Sequence, residues 1–199
     1  MNLKYSIKNY LNLFTHTAFG MSLPVWIKLL ARDKFAIDLR FLPKIIFISG
    51  NIILNIPFQI YEYLQYNKKI KNTKVQRPVF IIGHPRSGTT YLQYVLSKDP
   101  QFSFCSTYEA LIPHTFLSMG NFTKRILSMA MPDTRPQDNV KAGVEKPKEE
   151  EFALANMCEA SLVHGFYFPK NITSIFDESV TFETADAKLR LSWQNHLAY

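Results

Sequence analysis

Read by its apolar and polar positions, the chain changes character near residue 77. Residues 1–40 scatter Lys4, Lys8, Lys28, Arg32, Lys34 and Arg40 among aromatic and aliphatic residues, a mixture that predicts amphipathic helices lying on a surface. The 17 residues between Lys44 and Glu62 carry no charge, but Ser49, Gly50, Asn51, Asn55, Pro57 and Gln59 fall among them. A membrane span wants about 20 mostly apolar residues, and Pro57 is expected to break the helix, so a buried or membrane-surface helix pair is expected instead. Lys68, Lys69, Lys71, Lys74 and Arg77 then mark a solvated connection. Val79 to Ile82 is uncharged, β-branched and aromatic, and bounded by Pro78 and Gly83, which predicts a buried parallel strand. Leu92, Val95 and Leu96 share one helical face that closes at Asp99-Pro100, and Phe102 to Tyr108 predicts a second strand. Further on, Pro113, Pro132 and Pro136 cut the chain into short helical pieces. Phe152, Ala155, Glu159, Leu162, Val163 and Phe166 form one helical stripe, and residues 179–199 read as an amphipathic helix.

The junction between the first strand and its helix carries the candidate chemistry. In Gly83-His84-Pro85-Arg86-Ser87-Gly88-Thr89-Thr90, loop amides and the unpaired N–H groups of a helix's first turn converge on one point, where the helix dipole adds positive charge. An anion fits there. Gly83 and Gly88 let the backbone come close, while Ser87, Thr89 and Thr90 supply hydroxyls and Arg86 a permanently charged planar fork. His84 could donate to a phosphate oxygen or simply fill the turn. The spacing satisfies G-x-x-x-x-G-K-[ST] at its glycines and at Thr90, with Thr89 where the lysine belongs. That lysine reaches the β and γ phosphates of a triphosphate, so its replacement, with Arg86 gained inside the loop, argues for a shorter ligand.

Composition adds limits. The 199 residues are 47% hydrophobic with a formal net charge of +7, which suits one globular core and an anionic cofactor, lipid or nucleic acid. No arginine-rich tract with interleaved aromatics is present, so nucleic acid is the least supported partner. Cys105 and Cys158 lack C-x-x-C spacing and the five histidines lack H-E-x-x-H spacing, so two buried thiols and no metal are expected.

The loop, read as PRSGTT within Gly83 to Leu92, closely resembles the 5′-phosphosulfate loop of sulfotransferases that use 3′-phosphoadenosine 5′-phosphosulfate (PAPS), in particular their bacterial branch. Two further stretches are similar to that branch: Asn55, Pro57, Phe58 and Glu62 before the core strand, and Arg135-Pro136-Gln137-Asp138-Asn139 ahead of the acidic run Glu149-Glu150-Glu151. The resemblance implies an α/β fold, a P-loop-like parallel sheet flanked by helices. Residues 1–76 would be an N-terminal helical segment, possible at a membrane surface, and 77–199 the N-terminal part of the α/β domain. The sheet would be incomplete, because the family's later strand and helix, which bring an Arg and a Ser to the 3′-phosphate, and the rest of its sheet have no counterpart before Tyr199. It also implies transfer of a sulfuryl group from PAPS to a hydroxyl or amine acceptor without a metal. The amides of residues 86–90 would anchor the donor and Arg86 would stabilise charge.

The base is open on the residues themselves. The stripe from Phe152 onward, carried back one turn, passes nearer Glu151 than Glu149, so Glu151 is the better candidate if one carboxylate faces the cleft. Equally, all three could cap and solubilise the helix. Glu109, just past the second strand, could face the acceptor or start a helix. An aromatic-rich, membrane-proximal chain suits a lipid or other hydrophobic alcohol as acceptor, a cytoplasmic location peripheral to the membrane, and self-association through an open sheet edge. The competing expectations are a P-loop phosphotransferase and a non-catalytic sulfotransferase-like fragment at the membrane surface.

Overall fold

Ser22 in an extended conformation and Pro24 in the first turn start α1, Leu23–Arg32, because proline costs nothing where no N–H is needed. In the computed structural model, which describes residues 17–74, 77–84, 87–130 and 143–198, α1 buries Val25, Trp26, Leu29 and Leu30. They pack on Ala18, Met21, Ile48 and Ile52, and the Trp26 indole N–H donates to Ser49 Oγ at 2.9 Å.

Ile48 and Ile52 belong to α2, Leu42–Asn72, which runs unbroken through Pro57. The expected helix pair is therefore one helix of 31 residues. A proline inside a helix costs about 3 kcal/mol, and α2 is anchored on both sides of it. Ile48 and Ile52 hold the first half, and beyond Pro57 the buried Glu62 carboxylate accepts from the N–H groups of Leu117 and Ser118 at 3.3 and 2.8 Å.

The remaining helices are α3 (Thr89–Leu96), α4 (Thr107–Leu111), α5 (Gly120–Ala130), α6 (Glu151–Met157), α7 (Ile172–Ser179) and α8 (Ala187–Leu197). Asn156, fully buried at the end of α6, ties this body together. Its side-chain amide donates to the carbonyls of Ala110 and Phe152 at 3.2 and 3.1 Å, and its own carbonyl accepts from the Ser22 N–H at 3.1 Å. Gly20 lies so close to α4 that a Cβ there would stand 2.0 Å from the Leu111 carbonyl oxygen.

The parallel sheet expected from the sequence is not present: among the described residues there is no strand, only an isolated antiparallel bridge between Ser106 and Pro147. Val79, Phe80 and Ile82 are exposed, Ile82 by 93%. A parallel strand exists only where neighbours take its N–H and C=O groups and cover both faces, and no described segment pairs with this one. The second expected strand likewise ends in a helix start, where the Ser106 hydroxyl and Glu109 carboxylate form a capping box on α4. The long stripe from Phe152 is also interrupted. α6 stops at Met157 and a short 3₁₀ turn, Leu162–Phe166, follows.

Candidate functional site

The candidate loop is described at Gly83, His84 and from Ser87 onward, and there it runs into a helix start without a sheet. Gly88 sits at φ +95° directly before α3, the left-handed region that side-chain-bearing residues rarely adopt. A Cβ on Gly83 would lie 2.5 Å from Thr89 Cγ2 and 3.0 Å from Ser87 Oγ, so a side chain at position 83 would have to displace those of Thr89 and Ser87. The Ser87 N–H donates to the His84 carbonyl at 3.1 Å, and no side chain caps the first turn of α3. Its leading amides, together with the hydroxyls of Thr89 and Thr90, form a donor-rich end of a helix. Arg86, expected to supply the positive charge, lies outside the described residues, as do Pro85 and the segment Arg135–Asn139.

Residues 143–148 bring the carboxylates to this loop. The Thr107 N–H donates to the Lys146 carbonyl at 2.8 Å, the Tyr108 N–H to Val144 at 2.9 Å, and the Lys148 N–H to Cys105 at 2.9 Å. Gln93 of α3 then reaches the Lys148 carbonyl from the other side at 3.2 Å. As a result the Thr90 hydroxyl donates to Glu149 Oε1 at 3.3 Å. Lys148 Nζ lies 3.6 Å from the other oxygen of Glu149 and 3.7 Å from the centroid of the Phe152 ring.

A cavity of about 850 Å³ opens here, lined by Arg77, Gly83, Thr89, Thr90, Cys105 and Glu149 among others, within the size range of cofactor sites. Burial, with Glu109 and Glu150 nearby, pushes the Cys105 thiol up to about 12, so it lines the wall as an unreactive group.

Glu151 points elsewhere. Its Oε1 accepts from the Ser161 hydroxyl at 2.6 Å and from the Leu162 N–H at 3.0 Å. Burial raises its pKa although both hydrogen bonds oppose the shift. The loop residues and Glu149 are thus brought together and Glu151 is not. Projection of the α6 stripe through one more turn favoured Glu151, yet the helix begins only at Glu151. Glu150 caps it in a helical conformation and Glu149 stands one residue further out, beyond the reach of the helical projection. Glu109 is held in its capping box, accepting from the Ser106 N–H at 2.6 Å.

The sequence profile described as "Sulfotransferase family" matches residues 78–179, from the strand-like run through α7. The chain belongs to the sulfotransferase family. Two curated proteins, the omega-hydroxy-beta-dihydromenaquinone-9 sulfotransferases of Mycobacterium bovis and Mycobacterium tuberculosis, are each 28% identical to it over 137 residues. Those residues are 67% of this chain and 34% of each relative, so the chain spans about a third of their length. No solved structure matches it.

Proposed function

We propose that the loop Gly83–Thr90 holds the 5′-phosphosulfate of PAPS and that the protein serves sulfuryl transfer to the hydroxyl of a hydrophobic alcohol. The observation that carries this reading is the uncapped start of α3 behind Gly88, with a carboxylate 3.3 Å from the Thr90 hydroxyl. PAPS supplies the sulfuryl group and departs as 3′-phosphoadenosine 5′-phosphate (PAP). The amides of Ser87 to Thr90 hold the oxygens of the anion, and Arg86 balances the charge left on the phosphate. Glu149 takes the acceptor's hydroxyl proton while the acceptor oxygen forms its bond to sulfur and the sulfur–phosphate oxygen bond breaks. Glu151 supports the turn at Ser161 and Leu162. The mycobacterial relatives are named for a hydroxylated menaquinone, and we extend that chemistry to a lipid alcohol as acceptor here.

The test is transfer of labelled sulfate from PAPS to long-chain alcohols. Glu149→Gln is expected to lower the rate by about 10²–10⁴, the usual contribution of a positioned base, with the unfolding midpoint unchanged. Glu151→Gln is expected to act on stability, by about 1–3 kcal/mol for a disturbed buried acceptor. The reverse pattern would move the base to Glu151.

A further inference from the structure

From residue 53 onward the polarity of α2 is reversed. Asn55, Gln59 and Glu62 turn towards the protein, whereas Ile53, Leu54, Phe58, Ile60, Tyr61 and Leu64 are exposed, Leu54 by 72% and Leu64 by 73%. The orientation is fixed, because the Glu62 carboxylate also accepts from the Ser118 hydroxyl at 2.6 Å, in addition to its two backbone bonds. Beside it α5 exposes Phe122, Ile126 and Met129 at helical spacing. A groove of about 810 Å³, lined by Pro57, Phe58, Tyr61, Leu117, Met119 and Phe122 among others, joins the two helices. Single exposed apolar residues are ordinary, but a joined two-helix patch marks a binding surface.

Charge says what kind of partner covers it. Lys68, Lys69, Lys71 and Lys74 are exposed where the apolar stripe ends. Between Leu39 and Arg77 the one acidic residue is Glu62, and it is buried. The face is therefore apolar and positive with no exposed carboxylate along α2, which complements an anionic lipid surface and repels a second copy of itself. From Ile46 to Leu64 the stripe runs about 27 Å at the helical rise of about 1.5 Å per residue. By length and composition the segment Leu39–Asn72 could cross a bilayer. Its inner side, however, packs on α1 through Ile48 and Ile52 and carries the buried carboxylate.

We propose that α2, with α5 beside it, seats this chain on an anionic bilayer, lying in the interface without crossing it. The inference rests on these two helices and not on sulfuryl transfer, so the test contains no PAPS. The full chain is floated with phosphatidylcholine vesicles and with vesicles of phosphatidylcholine and phosphatidylserine. The expected result is at least about tenfold tighter binding to the anionic vesicles, weakened by salt. Leu54→Gln with Leu64→Gln, both at exposed positions, should reduce that binding about tenfold, and Arg86→Ala should leave it unchanged. In a Phe58→Trp variant the added fluorescence should shift to the blue and be quenched by lipids brominated near the headgroup rather than at the chain ends. Absence of binding to either vesicle would overturn the proposal, and so would binding indifferent to the Leu54 and Leu64 changes. Dimerisation abolished by those changes would assign the face to a second copy, and quenching from the bilayer centre would make α2 a span; either result rejects the interfacial seat.

Discussion

The stretch from Arg77 to Leu96 and the body around Asn156 are built on opposite terms. In the body, Met21, Leu29, Ile52, Tyr108, Asn156 and His164 are almost wholly enclosed, and its elements are joined across more than 100 positions of sequence, as in the Arg32–Glu178 ion pair at 3.0 Å. In the loop region α3 buries none of its residues, and Val79, Phe80, Tyr91 and Val95 are exposed. At Gly83 and from Ser87 to Thr90 the conformation is set locally, by two glycines and a helix start, while the bonds of Thr90 to Glu149 and of Gln93 to Lys148 tie this stretch to the body.

The largest effect that would test this contrast is in the body. Leu29→Ala should remove about 2–5 kcal/mol, the range for emptying a buried leucine site, measured by urea unfolding, with PAP affinity unchanged for the folded fraction. Acid should strike the same region. Burial lowers the His164 pKa to about 4 and depresses that of His114 as well. As pH falls from about 6.5 towards 4 the unfolded chain takes up these protons first, so stability declines across that window, by about 3 kcal/mol for His164. Glu151, whose pKa is raised, has the opposite sign: its contribution is present at low pH and is lost as pH rises above the ordinary carboxylate range. Thermal melts at pH 7 and pH 5 should show the loss, reduced in His164→Gln.

In the loop the signs exchange. Gly83→Ala should weaken PAP binding about tenfold, roughly 1.4 kcal/mol, because the new Cβ collides with Thr89 and Ser87, while the urea midpoint stays in place. The smallest effect belongs to Ile82→Ser, expected within about 0.5 kcal/mol as for surface changes, since this side chain has nothing packed over it.

The same division governs what the sequence could disclose. The start of α3 behind Gly88 was legible because glycine placement and helix-start chemistry are local. The sheet was not: Val79 to Ile82 has the composition of a buried strand, but a strand is made by partners that no run of four residues specifies. Pro57 was misjudged for a related reason, as its disruption is offset by Glu62 meeting Leu117 and Ser118, a contact 55 and 56 positions away. The placement of Glu149 beside Thr90 could not be read from periodicity, because Lys148 is fixed by Cys105 and Gln93 before α6 begins.

The most direct measurement is calorimetric titration of the 199-residue chain with PAP and separately with ADP, each repeated in Arg86→Ala. The two ligands differ in where the second phosphate sits. Preference for PAP that is lost in Arg86→Ala is the expected result. Preference for ADP, or PAP binding indifferent to Arg86, would contradict the assignment of this loop to the sulfuryl donor.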